Sequence, residues 1–139
     1  MSFGQSVKYC FSHYADFTGR ASRSEFWWWY LFYAIVVGIP YIIAYILLLA
    51  GQPAGDMYGN KDLVFPVGSV IVYVIAGLLA LALFIPYLAV SCRRLHDRGM
   101  SGWLNLLLIV PCANLVVFVF WLLPGTPGPN QYGEGPVRA

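Results

Sequence analysis

Long apolar stretches separated by short polar ones organise this chain. Phe26–Ala50, Leu63–Cys92 and Trp103–Leu123 carry no Asp, Glu, Lys, Arg or His. A helix needs roughly 20 apolar residues to cross a bilayer's hydrocarbon layer. Each stretch is long enough to cross once, and none can cross twice. Lipid offers the backbone no hydrogen-bond partners, so the stretches are expected to be helical despite their many β-branched residues. The pattern predicts an all-α integral membrane protein with three transmembrane helices, at about 26–50, 65–92 and 103–123. The second stretch has slack: it can tilt, or Pro66 can lie before the helix and Pro86 can kink it. Pro111-Cys112-Ala113-Asn114 reads as a turn. The third stretch can therefore cross fully or re-enter as a hairpin that returns the tail to its starting side.

Before the first stretch, Phe3, Val7, Cys10, Phe11, Tyr14 and Phe17 recur at three- and four-residue spacing. Gln5, Ser6, Lys8, Ser12, His13 and Asp16 occupy the other side. This predicts a short amphipathic helix within 3–17 that lies in the membrane interface, or packs on a cytoplasmic partner or its own subunit. Ser22-Arg23-Ser24-Glu25 reads as a capping box opening the first span. The expected layout is one membrane domain over 1–139: the interfacial helix, a three-span bundle over 18–123, and an irregular Pro/Gly-rich tail over 124–139. Trp27, Trp28, Trp29, Tyr30, Trp103 and Trp121 fall at stretch ends, as interfacial anchors do. Ala34 with Gly38, and Ala76 with Ala80, give the small-residue spacing that lets helices approach closely.

Composition agrees with the pattern. Of 139 residues, 60% are hydrophobic and 10% charged, with mean hydropathy +0.69. A soluble domain carries about 25% charge, and a globule this small cannot hide so many apolar side chains. Disordered, collagen-like and disulfide-scaffold classes are excluded. A net charge of +2 gives no nucleic-acid signal. Lys8, Arg20, Arg23, Arg93, Arg94 and Arg98 fall on one side of a three-span chain, Lys61 and Arg138 on the other. Positive-inside counting puts the N-terminus in the cytoplasm and the C-terminus outside.

Candidate chemistry gathers on that basic side. Gly19-Arg20-Ala21-Ser22-Arg23-Ser24-Glu25 opens the first span, and Arg93-Arg94-Leu95-His96-Asp97-Arg98-Gly99 closes the second. Arg20, Arg23, Arg93, Arg94, His96 and Arg98 are the candidate anion or headgroup ligands, since guanidinium is suited to phosphate. Glu25 and Asp97 are the candidate ion-pair partners: Asp97 for Arg20 or Arg23, Glu25 for Arg93 or Arg94. The alternative is that pairing uses up the cluster. No cofactor or metal is expected, although Cys10, His13, Cys92 and His96 could compose a Cys₂His₂ zinc set if both pairs met. His96 and Asp97 are adjacent and point apart on a helix, a poor acid–base pair, and no nucleophile motif accompanies them. Uncharged spans speak against an ion-coupled carrier.

Phe17 to Trp27, then Arg93 to Gly99 with Ser101-Gly102-Trp103, then Pro111, then Gly125-Thr126-Pro127-Gly128-Pro129-Asn130-Gln131-Tyr132-Gly133 are ordered motifs spanning nearly the whole chain. In these the chain resembles the domain-of-unknown-function family of small bacterial inner-membrane proteins that includes YhaH and YhaI. The resemblance implies a bacterial inner-membrane protein without an established activity. Cys10 and Cys92 lie outside the family's pattern, which weakens the zinc reading, and the loop 51–62 looks particular to this chain. The Gly-Thr-x-Gly-x-Asn segment belongs to the pattern and is expected to be a second docking element. The sequence thus leads to a non-enzymatic membrane protein whose basic cluster binds an anionic lipid headgroup or a partner. An oligomeric channel or small transporter, needing a homo-oligomeric ring, is the second reading. A lipid-phosphate-processing enzyme with His96 as acid–base is the third.

Overall fold

The computed structural model describes residues 1–52 and 65–136. Lys61, Arg138 and most of the loop 51–62 lie outside the described residues. The helices are α1 (Phe3–Ser12), α2 (Arg23–Tyr33), a π-helical turn (Ala34–Gly38), α3 (Ile39–Ala50), α4 (Val67–Asp97), a 3₁₀ helix (Gly102–Ile109) and α5 (Ala113–Leu122). Among the described residues the only β pairing is an isolated bridge between Asn130 and Gly133. Two helices, Arg23–Ala50 and Val67–Asp97, are long and apolar enough to cross a membrane. The chain divides into two compact units, Met1–Phe32 with Phe84–Ala139, and Tyr33–Leu83.

The Tyr33–Leu83 unit has little interior of its own. Val37, Ala44, Ser69, Ala76 and Leu83 are buried, and the Tyr41 and Tyr73 rings meet at 5.9 Å. Ala44 and Ala76 are fully enclosed, whereas Ala34 of the expected small-residue pair is exposed. The π turn stands just before Pro40, which lacks an N–H and crowds the preceding turn, and the wider turn accommodates it.

The other unit holds the larger core. Phe26, Trp29, Ala89, Val90, Leu95 and Val117 are fully buried. Phe26 packs on Trp121 at 4.8 Å between ring centres. α1 is capped by Ser2 and Gln5 in a reciprocal capping box. It packs on its own chain: Phe3 meets Trp28 edge-on at 5.8 Å and Phe11 meets Trp29 at 5.2 Å. The helix ends at Ser12, short of the expected residue 17, and turns its Ser6 and Cys10 inward. Ser6 had been expected on the outer, polar side. At the start of α2, Ser22 Oγ accepts from Glu25 N at 3.1 Å. Only half of the expected capping box forms there, because the Glu25 carboxylate turns to Arg93.

The expected third spanning helix at 103–123 is not one helix. Val110 precedes Pro111 and adopts the extended conformation that proline imposes on its neighbour. Cys112 follows with φ of +68°, and the helix is broken. The 3₁₀ arm of 8 residues rises about 16 Å at 2.0 Å per residue. The α5 arm of 10 residues covers about 15 Å at 1.5 Å per residue. Neither arm spans a hydrocarbon layer of about 30 Å, and their matched lengths return the chain to its starting level. The two ends confirm the return. A Cβ on Gly102 would collide with Cys92 Sγ, and Leu123 and Pro124 beyond α5 are held by Arg94 and Arg98. The run therefore starts and finishes at the C-terminal end of α4.

Candidate functional site

α4 ends in a run of basic residues, which suits the negative end of a helix dipole. It stops at Gly99, whose φ is +74°. Gly99 N–H donates to His96 O at 2.9 Å and Met100 N–H to Leu95 O at 3.1 Å, the double closure of a left-handed helix end. The tail adds donors to the last carbonyls of the helix. Thr126 N–H donates to Asp97 O at 2.8 Å, and Asn130 Nδ2 to His96 O at 2.9 Å. Gln131 Nε2 reaches Gly99 O at 2.9 Å, and the Tyr132 ring lies flat on His96 at 3.9 Å and 5°.

Asp97 is the centre of the site. Its Oδ1 receives Arg20 Nε at 2.9 Å and Nη2 at 2.8 Å, and its Oδ2 receives Arg94 Nη1 at 2.5 Å. All three residues are buried. One carboxylate thus serves two guanidiniums, and backbone carbonyls take up the remaining donors. Arg20 Nη2 donates to Thr126 O at 2.7 Å and Nη1 to Gly128 O at 2.6 Å. Arg94 Nε donates to Trp121 O at 3.2 Å and Nη2 to Leu123 O. Arg98 Nη1 donates to Pro124 O at 2.7 Å. The network ties the segment before α2, the end of α4, the end of α5 and the tail.

A second pair lies beside α1. Arg93 Nη1 meets Glu25 Oε1 at 2.7 Å, with both side chains 3% exposed, and the guanidinium sits 5.4 Å from the centre of the Tyr9 ring. The Arg93 carbonyl accepts from Ala21 N–H at 3.0 Å, which fixes the Arg20 loop against α4. Burial pushes the Cys10 thiol from 9.0 up to about 12, with the Glu25 charge adding to the effect and Arg93 opposing it. Asp16 is held below the ordinary carboxylate range by hydrogen bonds from the Thr18 hydroxyl and N–H.

The expected cluster is therefore brought together in part. Arg20, Arg94 and Asp97 meet, and Arg93 pairs separately with Glu25. His96 stacks under Tyr132, with Nδ1 3.2 Å from Gly19 O. Arg98 holds the start of the tail, and Arg23 stands exposed at the start of α2. Asp97 takes Arg20 and Arg94, not Arg23. Cys92 and His96 approach to 3.9 Å. Among the described residues no three His, Cys, Asp or Glu side chains are grouped to hold a metal, so the two Cys–His pairs do not compose a site. The main acceptors for Arg20 and Arg94, apart from Asp97, are carbonyls of residues 121–128. Side-chain spacing carries no signal for such partners.

These features define a helical membrane protein whose arginine-rich motifs are folded into a buried Arg–Asp–Arg knot. Residues 14–134 match the family described as Protein of unknown function (DUF805), and the chain belongs to it. The inner membrane protein YhaI of Escherichia coli (strain K12) is 38% identical over 125 residues, covering 89% of this chain and 88% of that one. The inner membrane protein YhaH of the same strain is 33% identical over 126 residues, covering 89% of each. No solved structure matches the chain. The resemblance read from the motifs is thus shown, and with it a helical, inner-membrane character.

Proposed function

We propose that this is a non-enzymatic inner-membrane protein whose basic rim faces the cytoplasm and binds an anionic lipid headgroup. The carrying observation is the charge left after internal pairing. Asp97 alone offsets Arg20 and Arg94, Glu25 offsets Arg93, and Arg23 and Arg98 add like charge beside Arg94. Such an excess at a bilayer edge attracts phosphate headgroups. The knot narrows the candidate ligands. Arg20, Arg93 and Arg94 act as structural donors, and Arg23, Arg98 and His96 are the groups that reach a headgroup. Positive-inside counting supports a cytoplasmic rim. The tail bonds to that same rim, which favours a cytoplasmic tail over the outside C-terminus expected from three spans.

Native mass spectrometry of the protein released from gentle detergent tests the reading. Arg23→Gln with Arg98→Gln is expected to strip co-purifying phosphatidylglycerol while leaving phosphatidylethanolamine adducts unchanged. Equal phosphatidylglycerol retention in the variant and the parent would reject headgroup binding.

A further inference from the structure

Beside the rim, and wholly within the unit that carries it, lies a cavity of about 760 Å³. That volume falls in the range of about 300–1,000 Å³ typical of ligand sites. One wall is a single face of α4: Phe84, Leu88, Cys92 and His96 recur every four residues and all line it. From Phe84 to His96 this wall runs about 18 Å at 1.5 Å per residue. Half of a hydrocarbon layer of about 30 Å is about 15 Å, so the cavity has the depth of one lipid leaflet. The opposite wall is the 3₁₀ helix, contributing Leu106 and Ile109.

The lining is graded from end to end. The deep end is apolar, whereas the rim end carries His96, Ser101 and Tyr132. The His96 Nδ1 neighbour, Gly19 O, can only accept a hydrogen bond. In the neutral ring Nδ1 then carries the proton, and Nε2 faces the Cys92 thiol at 3.9 Å. Asn105 also lines the cavity, and its Oδ1 is buried without a hydrogen-bond partner among the described residues. The outer wall is accessible from the side, with Trp103 79% and Ile109 80% exposed. Eight consecutive 3₁₀ residues make a wall with poorer hydrogen bonds than an α-helix, able to adjust to what it encloses.

We infer that this cavity binds one acyl chain of a membrane lipid, the chain running along the Phe84–Leu88–Cys92 face and its polar end meeting His96, Ser101 and Tyr132. The inference deepens the lipid reading of the rim. It rests on the protein lying in a bilayer, and not on the arginines binding an anion. The tail sits at the polar end of the site: Tyr132 lines the cavity and is positioned by Asn130, whose Oδ1 accepts from its N–H at 2.9 Å.

Photocrosslinking of the full chain in vesicles of phosphatidylethanolamine and phosphatidylglycerol tests this. The probe is phosphatidylcholine bearing a diazirine in its acyl chain, either near the methyl end or near the glycerol. Methyl-end adducts are expected on Phe84 and Leu88, and glycerol-end adducts on Ser101–Trp103 and Tyr132. Leu88→Trp and Leu106→Trp fill the cavity from opposite walls, and each is expected to abolish both adducts. Leu78→Trp, at a 63% exposed position outside the cavity, is expected to keep them. Protease resistance of the tail identifies the correctly folded variants. Adducts that persist in both folded cavity-filling variants, or that spread evenly over Leu78 and Leu81, overturn the inference. Because the probe's headgroup is zwitterionic, cavity adducts in Arg23→Gln with Arg98→Gln support chain binding even where headgroup binding fails.

Discussion

Asp97 joins the two buried arginines of the knot through one carboxylate. It is 4% exposed, and its two oxygens serve Arg20 and Arg94. Asp97→Asn keeps the shape but leaves two buried guanidiniums facing an amide. Breaking a buried ion pair costs about 3–5 kcal/mol, because the surviving charge stays desolvated. The expected outcome is a large fall in melting temperature in detergent and protease cleavage within the tail. Gly125→Ala makes the same point sterically, since the new Cβ would lie 1.8 Å from Asp97 Oδ2. Its expected cost is smaller, about 1–3 kcal/mol for overpacking. An Asp97→Asn protein that melts like the parent would show that the knot does not hold the tail. Part of this was legible in the residue types. Two arginine-rich motifs with one aspartate and one glutamate between them permit few pairings, and Asp97 with Arg20 was among those foreseen. That the arginines would spend their other donors on backbone carbonyls was not legible, because a carbonyl is present at every position and only the fold selects which ones meet a guanidinium.

At the scale of elements, sequence reading is strongest where one force dominates and weakest where two balance. The spans Arg23–Ala50 and Val67–Asp97 are set by apolar length, and they form even with Pro40 and Pro86 inside them. The run 103–123 has the same apolar length, yet Pro111 constrains Val110 and Cys112 takes a left-handed conformation. Length favours a crossing and the turn chemistry favours a return, and periodicity does not weigh one against the other. α1 shows a similar limit. Its apolar face was readable from Phe3 and Phe11, but the inward turn of Ser6 was not. The hairpin carries a test of its own. In a variant lacking the native cysteines, Lys8→Cys and Gln131→Cys are expected to react with a membrane-impermeant maleimide from the same side of oriented vesicles. Reaction from opposite sides would restore three crossings.

For the whole molecule, the decisive physical fact is how little of the apolar surface is covered. Only 11% of the most apolar window in the first long helix is buried, and 17% in the second. Ile42, Val67 and Leu78 are each at least 60% exposed. A core helix of a soluble protein buries such side chains, and an exposed patch larger than a few hundred Å² marks an interaction surface. With inner-membrane relatives over most of the chain, lipid is the solvent that this surface fits. One substitution separates the two environments by magnitude. Leu81 lies near the middle of the 31-residue α4 and is 70% exposed. In water, Leu81→Arg would be a surface change worth about 0.5 kcal/mol or less. At the centre of a spanning helix an arginine costs about 2.5–3.5 kcal/mol on the insertion scale. Leu81→Arg is therefore expected to lower the fraction that resists alkaline carbonate extraction, whereas Arg23→Gln, at the rim, leaves it unchanged. Were Leu81→Arg to remain as firmly embedded as the parent, α4 would not cross the bilayer at that residue, and the leaflet-deep cavity along the same helix would lose its lipid.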